Sequence, residues 1–246
     1  LKSQQKEAVF VIDLEIKNYA VLRLFGIDIW ITDTTVSTWI IMGVLIIFGI
    51  IVRIKSRKFK EVPKGFQNAV EAIVEVFESY LRTTIGDKLM FLGSWFFTLF
   101  LFILLSNLSG LLPMMRTPTA DWSMTFGLAL VTFILIQAMG VKYRKAGYIK
   151  DLFAPLPWWC PIPLFLPINL IGEVARPISL SFRLFGNMLA GLIMMSLIYA
   201  LFPPFVTFVI PSALHAYFDL FSGVLQTYIF VTLSMTFISG AAAVAD

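Results

Sequence analysis

The sequence predicts an all-α membrane protein: five transmembrane helices plus one interfacial amphipathic helix, with the last two spans long and tilted as a hairpin. Three observations predict it. Of 246 residues, 59% are hydrophobic and 14% charged, whereas a soluble domain carries about a quarter charged residues. The apolar residues gather into runs of about 17 or more, enough to cross a bilayer core as helix. Basic residues collect in short loops directly after such runs, as cytoplasmic loops do. The net charge of +4 therefore reads as membrane topology, and nucleic acid is not an expected partner. Cys160 is the only cysteine, which excludes an internal disulfide and a cysteine-based metal cluster. No cofactor or metal site is expected.

The chain reads as a single membrane domain, 1–246. Residues 1–35 mix acidic, basic and apolar types and form an extramembrane segment. The chain opens at Leu1 without the charged-then-apolar order of a signal peptide, which leaves room for residues upstream. The first span is 36–52, and Arg53, Lys55, Arg57, Lys58, Lys60 and Lys64 follow it at once. That loop belongs in the cytoplasm and the N-terminus outside. Residues 64–81 are too polar to span. Phe66, Val70, Ile73, Phe77 and Leu81 recur there at helical spacing, with Glu71, Glu75 and Glu78 opposite. This pattern predicts a surface helix, whose acidic face favours a protein partner over anionic lipid.

The second span is 89–112, ending at Asn107-Leu-Ser-Gly-Leu-Leu-Pro113. Asp121 is placed to cap the third span, 122–141, because its carboxylate can accept from the unpaired amides of the first turn. Asn107 reads as a turn residue. Lys142, Arg144, Lys145 and Lys150 return the chain to the cytoplasm, and five prolines between Pro155 and Pro167 break helix repeatedly. The last two helices, 167–201 and 205–245, are joined at Pro203-Pro204, with bends expected at Pro177 and Pro211. Both exceed the roughly 20 residues needed to cross, so tilt is expected.

Inside this hairpin lies a polar constellation. Arg183 is the only formal charge between Ile178 and Phe202. Guanidinium keeps its proton in a protein, so the charge must meet a partner or water. At about 100° per residue, Asn169, Arg176, Ser179, Arg183 and Asn187 share one helix face, and His215, Asp219, Ser222 and Gln226 share another. Counting outward from the turn sets Gln226 level with Arg183 and Asp219 level with Asn187, with His215 nearer the outside. The ladder descends from the outer surface to the arginine, while Glu173 and Arg176 lie on the cytoplasmic side. Plainer readings also fit: the serines as interhelical hydrogen bonds, His215 as an interfacial residue, and Glu173 with Arg176 as a local i,i+3 pair. Arg183 has no carboxylate three or four residues away, so its counter-charge is expected on another molecule. Gly186, Ala190 and Gly191 favour close approach of a partner helix.

The run Ser179-Leu-Ser-Phe-Arg183-Leu-Phe-Gly-Asn187-Met-Leu-Ala-Gly191 resembles the signature of subunit a of the F-type ATP synthase membrane sector. The resemblance extends to Pro63-Lys-Gly-Phe-Gln-Asn68, to Asn107 through Pro113, to Thr119-Ala-Asp121 and to Gln226. It implies a non-catalytic stator subunit in the energy-coupling membrane of a bacterial cell. Its partners would be a ring of c subunits, each bearing a carboxyl group, and the b subunits of the peripheral stalk. Arg183 would stand between two offset aqueous half-channels, with Asn187 and Gln226 matching further polar positions. This chain departs from some members at Leu192, where they carry glutamate, and at Asp219, where they carry histidine. The entry path is therefore expected to be rewired around Asp219. No Gly-rich Lys-Ser/Thr phosphate loop occurs, so ATP chemistry is expected on other chains. The competing reading is a stand-alone ion-coupled transporter, for which two broken helices in inverted repeats would be expected.

Overall fold

The computed structural model describes residues 18–24, 27–112, 115–145, 147–148, 165–201, 214 and 216–242. The chain is a helical membrane protein, and among the described residues five helices are long and apolar enough to cross a bilayer. Outside them stands an antiparallel pair of strands, β1 (Asn18–Leu24) and β2 (Ile27–Thr32). The alternation of Ile27, Ile29 and Ile31 with Asp28, Trp30 and Thr32 suits a pleated strand. The sequence predicts only an extramembrane segment over residues 1–35, and the structure shows that this ribbon is part of it.

Helix α1 (Asp33–Ser56) begins at Thr32, whose side chain caps the amide of Thr35. It joins the body at its first turns only, through buried Thr34, Ser37 and Ile41. Thr34 Oγ1 donates to Asp121 Oδ2 at 2.9 Å, and Asp33 pairs with Arg116 at 3.8 Å. Most of the remaining surface is exposed and apolar, as lipid requires.

Helix α2 (Phe66–Ile85) buries Phe77, Leu81 and Ile85 but leaves Phe66 and Ile73 exposed. Only the second half of its apolar stripe therefore packs on the body. Glu71, Glu75 and Glu78 are exposed opposite, and Arg82 is paired with Glu78 and Asp87. Tyr80 hydrogen-bonds Thr232. Burial pushes the Tyr80 phenol above its ordinary value, which keeps it a neutral partner.

Helix α3 (Gly93–Leu108) is flanked by 3₁₀ turns, and α4 (Trp122–Arg144) is capped by Asp121, which accepts from the Ser123 amide at 3.0 Å. Helix α5 (Phe165–Leu201) continues through Pro177. The last helix, α6 (Gly223–Ala242), is preceded by a π-helical segment, Ala216–Ser222. Helices α3, α4, α5 and α6 close around Phe96, Ile103, Ile136, Leu184, Phe230, Val231, Met235 and Ile238, all nearly inaccessible. His215 and the Pro211 bend lie outside the described residues.

Candidate functional site

The orientation of α5 follows from its apolar residues. Leu180, Leu184, Met188 and Met195 are buried against the body, spaced one or two helical turns apart. Arg183 lies beside that stripe and is exposed. It sits at the midpoint of the membrane-crossing stretch Asn169–Ile198. Among the described residues none hydrogen-bonds to it or pairs with it. A permanent charge at that depth is not tolerated against lipid. The face carrying it is also thinly covered: a Cβ at Gly172 or Gly186 would meet nothing within 4 Å. Gly191, by contrast, is used within the chain, since a Cβ there would lie 3.3 Å from Phe218.

Arg183 lines a shallow recess of about 220 Å³ with Arg176 and Ser179 of α5 and Leu233 and Phe237 of α6. Arg176 stacks its guanidinium 5.5 Å from the Phe237 ring centre. Its charge is met by Glu173 at 2.7 Å, the i,i+3 partner. Glu173 is in turn held by Gln137 of α4, whose Nε2 donates to Oε2 at 3.1 Å. Tyr148 donates its hydroxyl to Gln137 Oε1 at 2.9 Å. Burial, reinforced by the Glu173 charge, pushes the Tyr148 phenol up, so it remains a donor.

On the other side of Arg183, Ser222 Oγ donates to Asn187 Oδ1 at 2.7 Å. That contact, with Gly191 against Phe218, fixes an antiparallel register in which Gln226 comes level with Arg183. Asn187 thus meets Ser222, one turn from the Asp219 that simple counting places there. Equal steps along the two helices require this: with Gln226 level with Arg183, four residues further on each helix bring Ser222, not Asp219, to Asn187. Asp219 turns instead towards the 3₁₀ turn after α3, where its Oδ1 would lie 3.5 Å from a Cβ at Gly110. Asn187 Nδ2 and Gln226 Nε2 are buried without a hydrogen-bond partner among the described residues. Such donors normally carry a free-energy cost of about 1–3 kcal/mol unless something meets them.

Asn107 is corrected by the structure. It is not a turn residue but a fully buried clamp. Its Nδ2 donates to Gly223 O at 2.9 Å and to Thr227 Oγ1 at 3.1 Å, and its Oδ1 accepts from Thr119 at 2.6 Å. The start of α6, which carries Gln226, is thereby fixed to α3. Sequence reasoning also missed Gln137 and Tyr148; a glutamine inside the apolar run of α4 was the available signal.

Residues 35–239 match the family model described as ATP synthase A chain. The chain is 37% identical over 227 residues to the ATP synthase subunit a, sodium ion specific, of Propionigenium modestum, covering 86% of this chain and 74% of that protein. It is 38% identical over 213 residues to ATP synthase subunit a of Geobacter sp. (strain M21), covering 85% and 87% respectively. A third relative, ATP synthase subunit a of Syntrophobacter fumaroxidans, is 33% identical over 219 residues, covering 89% of this chain and 87% of its own length.

Proposed function

The chain belongs to the ATP synthase A chain family, and from that premise we propose that it is the ion-translocating, non-catalytic stator subunit of an F-type synthase, with Arg183 separating two half-paths. One observation carries the reading. Arg183 is exposed at mid-span on a thinly covered helix face, with no counter-charge among the described residues. A carboxylate brought there by a ring of c subunits supplies that counter-charge. The permanent positive charge favours the empty, ionised carboxylate, so the ring releases its ion on arrival. The same charge repels a bare cation and keeps the half-paths from joining.

The outer half-path runs by Asp219, Ser222, Asn187 and Gln226; His215, which the sequence sets on the same face, lies outside the described residues. The orphaned amides of Asn187 and Gln226 are donors that a hydrated path would meet. The inner half-path opens on the recess lined by Arg176 and Ser179, beside Glu173. The last two helices, tilted against the ring, carry both half-paths. The acidic face of α2 fits the b subunits of the peripheral stalk. The basic loops after α1 and α4 set the N-terminus outside and the C-terminus in the cytoplasm.

Two experiments test this. Gly186→Cys, which the fold accommodates because a Cβ meets nothing there, is expected to form disulfides with cysteines beside the ring carboxyl. Cross-links confined to the opposite face of α5 would overturn the docking. Asp219→Asn is expected to slow ion flux about tenfold while the complex still assembles, since one charged hydrogen-bonding group is lost. Unchanged flux reduces Asp219 to a structural residue.

A further inference from the structure

Two arginines line one recess, yet they are not electrically equivalent. Arg176 is 40% exposed and paired, whereas its partner Glu173 is only 13% exposed. A charged group so covered is costly unless its oxygens are met by donors. Oε1 is met by Arg176 and Oε2 by Gln137. The Gln137 amide has a donor end and an acceptor end, and the wrong end would repel Glu173. The carboxylate, which only accepts, draws the NH₂ end towards itself, and Tyr148 holds the amide there by donating to the Oε1 left on the other side. Gly140 makes room for this: a Cβ there would lie 2.6 Å from Tyr148 Cε2. The relay stands at the end of α4 that carries Lys142 and Arg144, the basic end of the bundle.

We propose that Tyr148 and Gln137 are positioning residues that hold Glu173 on Arg176, so that Arg183 alone offers its charge to a carboxylate entering the recess. This rests on the stator reading above. Were Glu173 released, the recess would present two cations seven residues apart on one helix, or about 10 Å. A second uncompensated cation repels the coupling ion where it approaches from the basic end. The relay therefore acts on one half-path only.

That one-sidedness is the test. With the assembled complex in vesicles, ATP-driven pumping draws the ion from the basic-loop face and synthesis draws it from the other. The half-saturating ion level is measured in both directions, titrating Na⁺ at fixed pH and then pH at fixed Na⁺. Tyr148→Phe, Gly140→Ala and Gln137→Leu are expected to raise the half-saturating level for pumping about three- to tenfold, the loss of one charge-assisted hydrogen bond, and to leave the value for synthesis unmoved. Gln137→Leu added to Glu173→Gln is expected to produce no further shift. If Gln137→Leu fails to assemble, Tyr148→Phe, which removes a single oxygen, still decides the matter. Equal losses in both directions, or no shift in either, overturn the relay. Arg183→Ala run in parallel separates the two claims: coupled pumping in that variant sinks the stator reading itself, whereas its loss alongside unmoved relay variants sinks the relay alone.

Discussion

Replacing Arg183 by alanine is expected to abolish ATP-driven ion pumping and to open a passive leak through the membrane sector. Arg183 is exposed at the middle of its span, unmatched among the described residues. A permanent positive charge within about 4–6 Å favours the ionised form of an arriving carboxyl by about 10- to 1000-fold. Without it the ring carboxyl keeps its ion and passes the stator loaded. The barrier to a bare cation falls at the same time, so the half-paths join. Arg183→Lys is expected to fall between wild type and alanine: a lysine keeps the charge only while protonated and lacks the two-pronged geometry that guanidinium offers a carboxylate. Pumping is read as ATP-driven quenching of a gradient dye, and leak as the decay of an imposed gradient. An alanine variant that pumps normally is incompatible with the assignment.

The second large effect concerns Asn107. Its three hydrogen bonds join α3 to the start of α6 and to Thr119. Interhelical hydrogen bonds in membranes average only about 0.6 kcal/mol each, which alone would make the clamp worth about 2 kcal/mol. Asn107→Leu also leaves the buried Thr119 hydroxyl without this acceptor and the Gly223 carbonyl with one donor fewer, and each such group costs about 1–3 kcal/mol. Because the Gly223 carbonyl keeps the Thr227 hydroxyl as a donor, the Thr119 hydroxyl carries most of this added cost, and a total loss of about 3–5 kcal/mol follows. Gly223→Ala is expected to act in the same direction, because its Cβ would stand 3.1 Å from Asn107 Cβ. Thermal inactivation of the assembled complex measures both. Thr98→Val, which removes an exposed bond to the Ser94 carbonyl, serves as the near-neutral comparison, within about 0.5 kcal/mol. An Asn107 variant as stable as that one would mean that α6 is fixed by packing alone.

The sequence reading and the structure agree where a signal is local. A lone guanidinium in an apolar run is conspicuous, and the i,i+3 spacing of Glu173 and Arg176 offers their pairing as one of two readings, which the structure shows formed. Asp121 announces a cap by preceding Trp122. The failures share a cause: each depends on a neighbour distant in sequence. Asn107 sits in a string that reads as a turn, and only α6, 116 residues later, makes it a clamp. Gln137 and Tyr148 acquire meaning only when α4 packs on α5. Counting outward from the turn sets Asp219 beside Asn187, and only the contact between the two helices shows that Ser222 occupies that place. The ribbon before α1 was legible in the alternation of Ile27, Ile29 and Ile31, a period of two that a search for helices passes over.

The central claim is that Arg183 stands between two paths that open on opposite sides of the membrane. Labelling with a membrane-impermeant thiol reagent tests it most directly, in a background where Cys160, the only cysteine, is replaced by serine. Ser222→Cys reports the outer path from its contact with Asn187, and Gly172→Cys reports the recess it lines with Arg176 and Arg183. Ser222→Cys is expected to react only when the reagent is outside, and Gly172→Cys only when it is on the basic-loop side. Reaction of both cysteines from the same side would contradict the account.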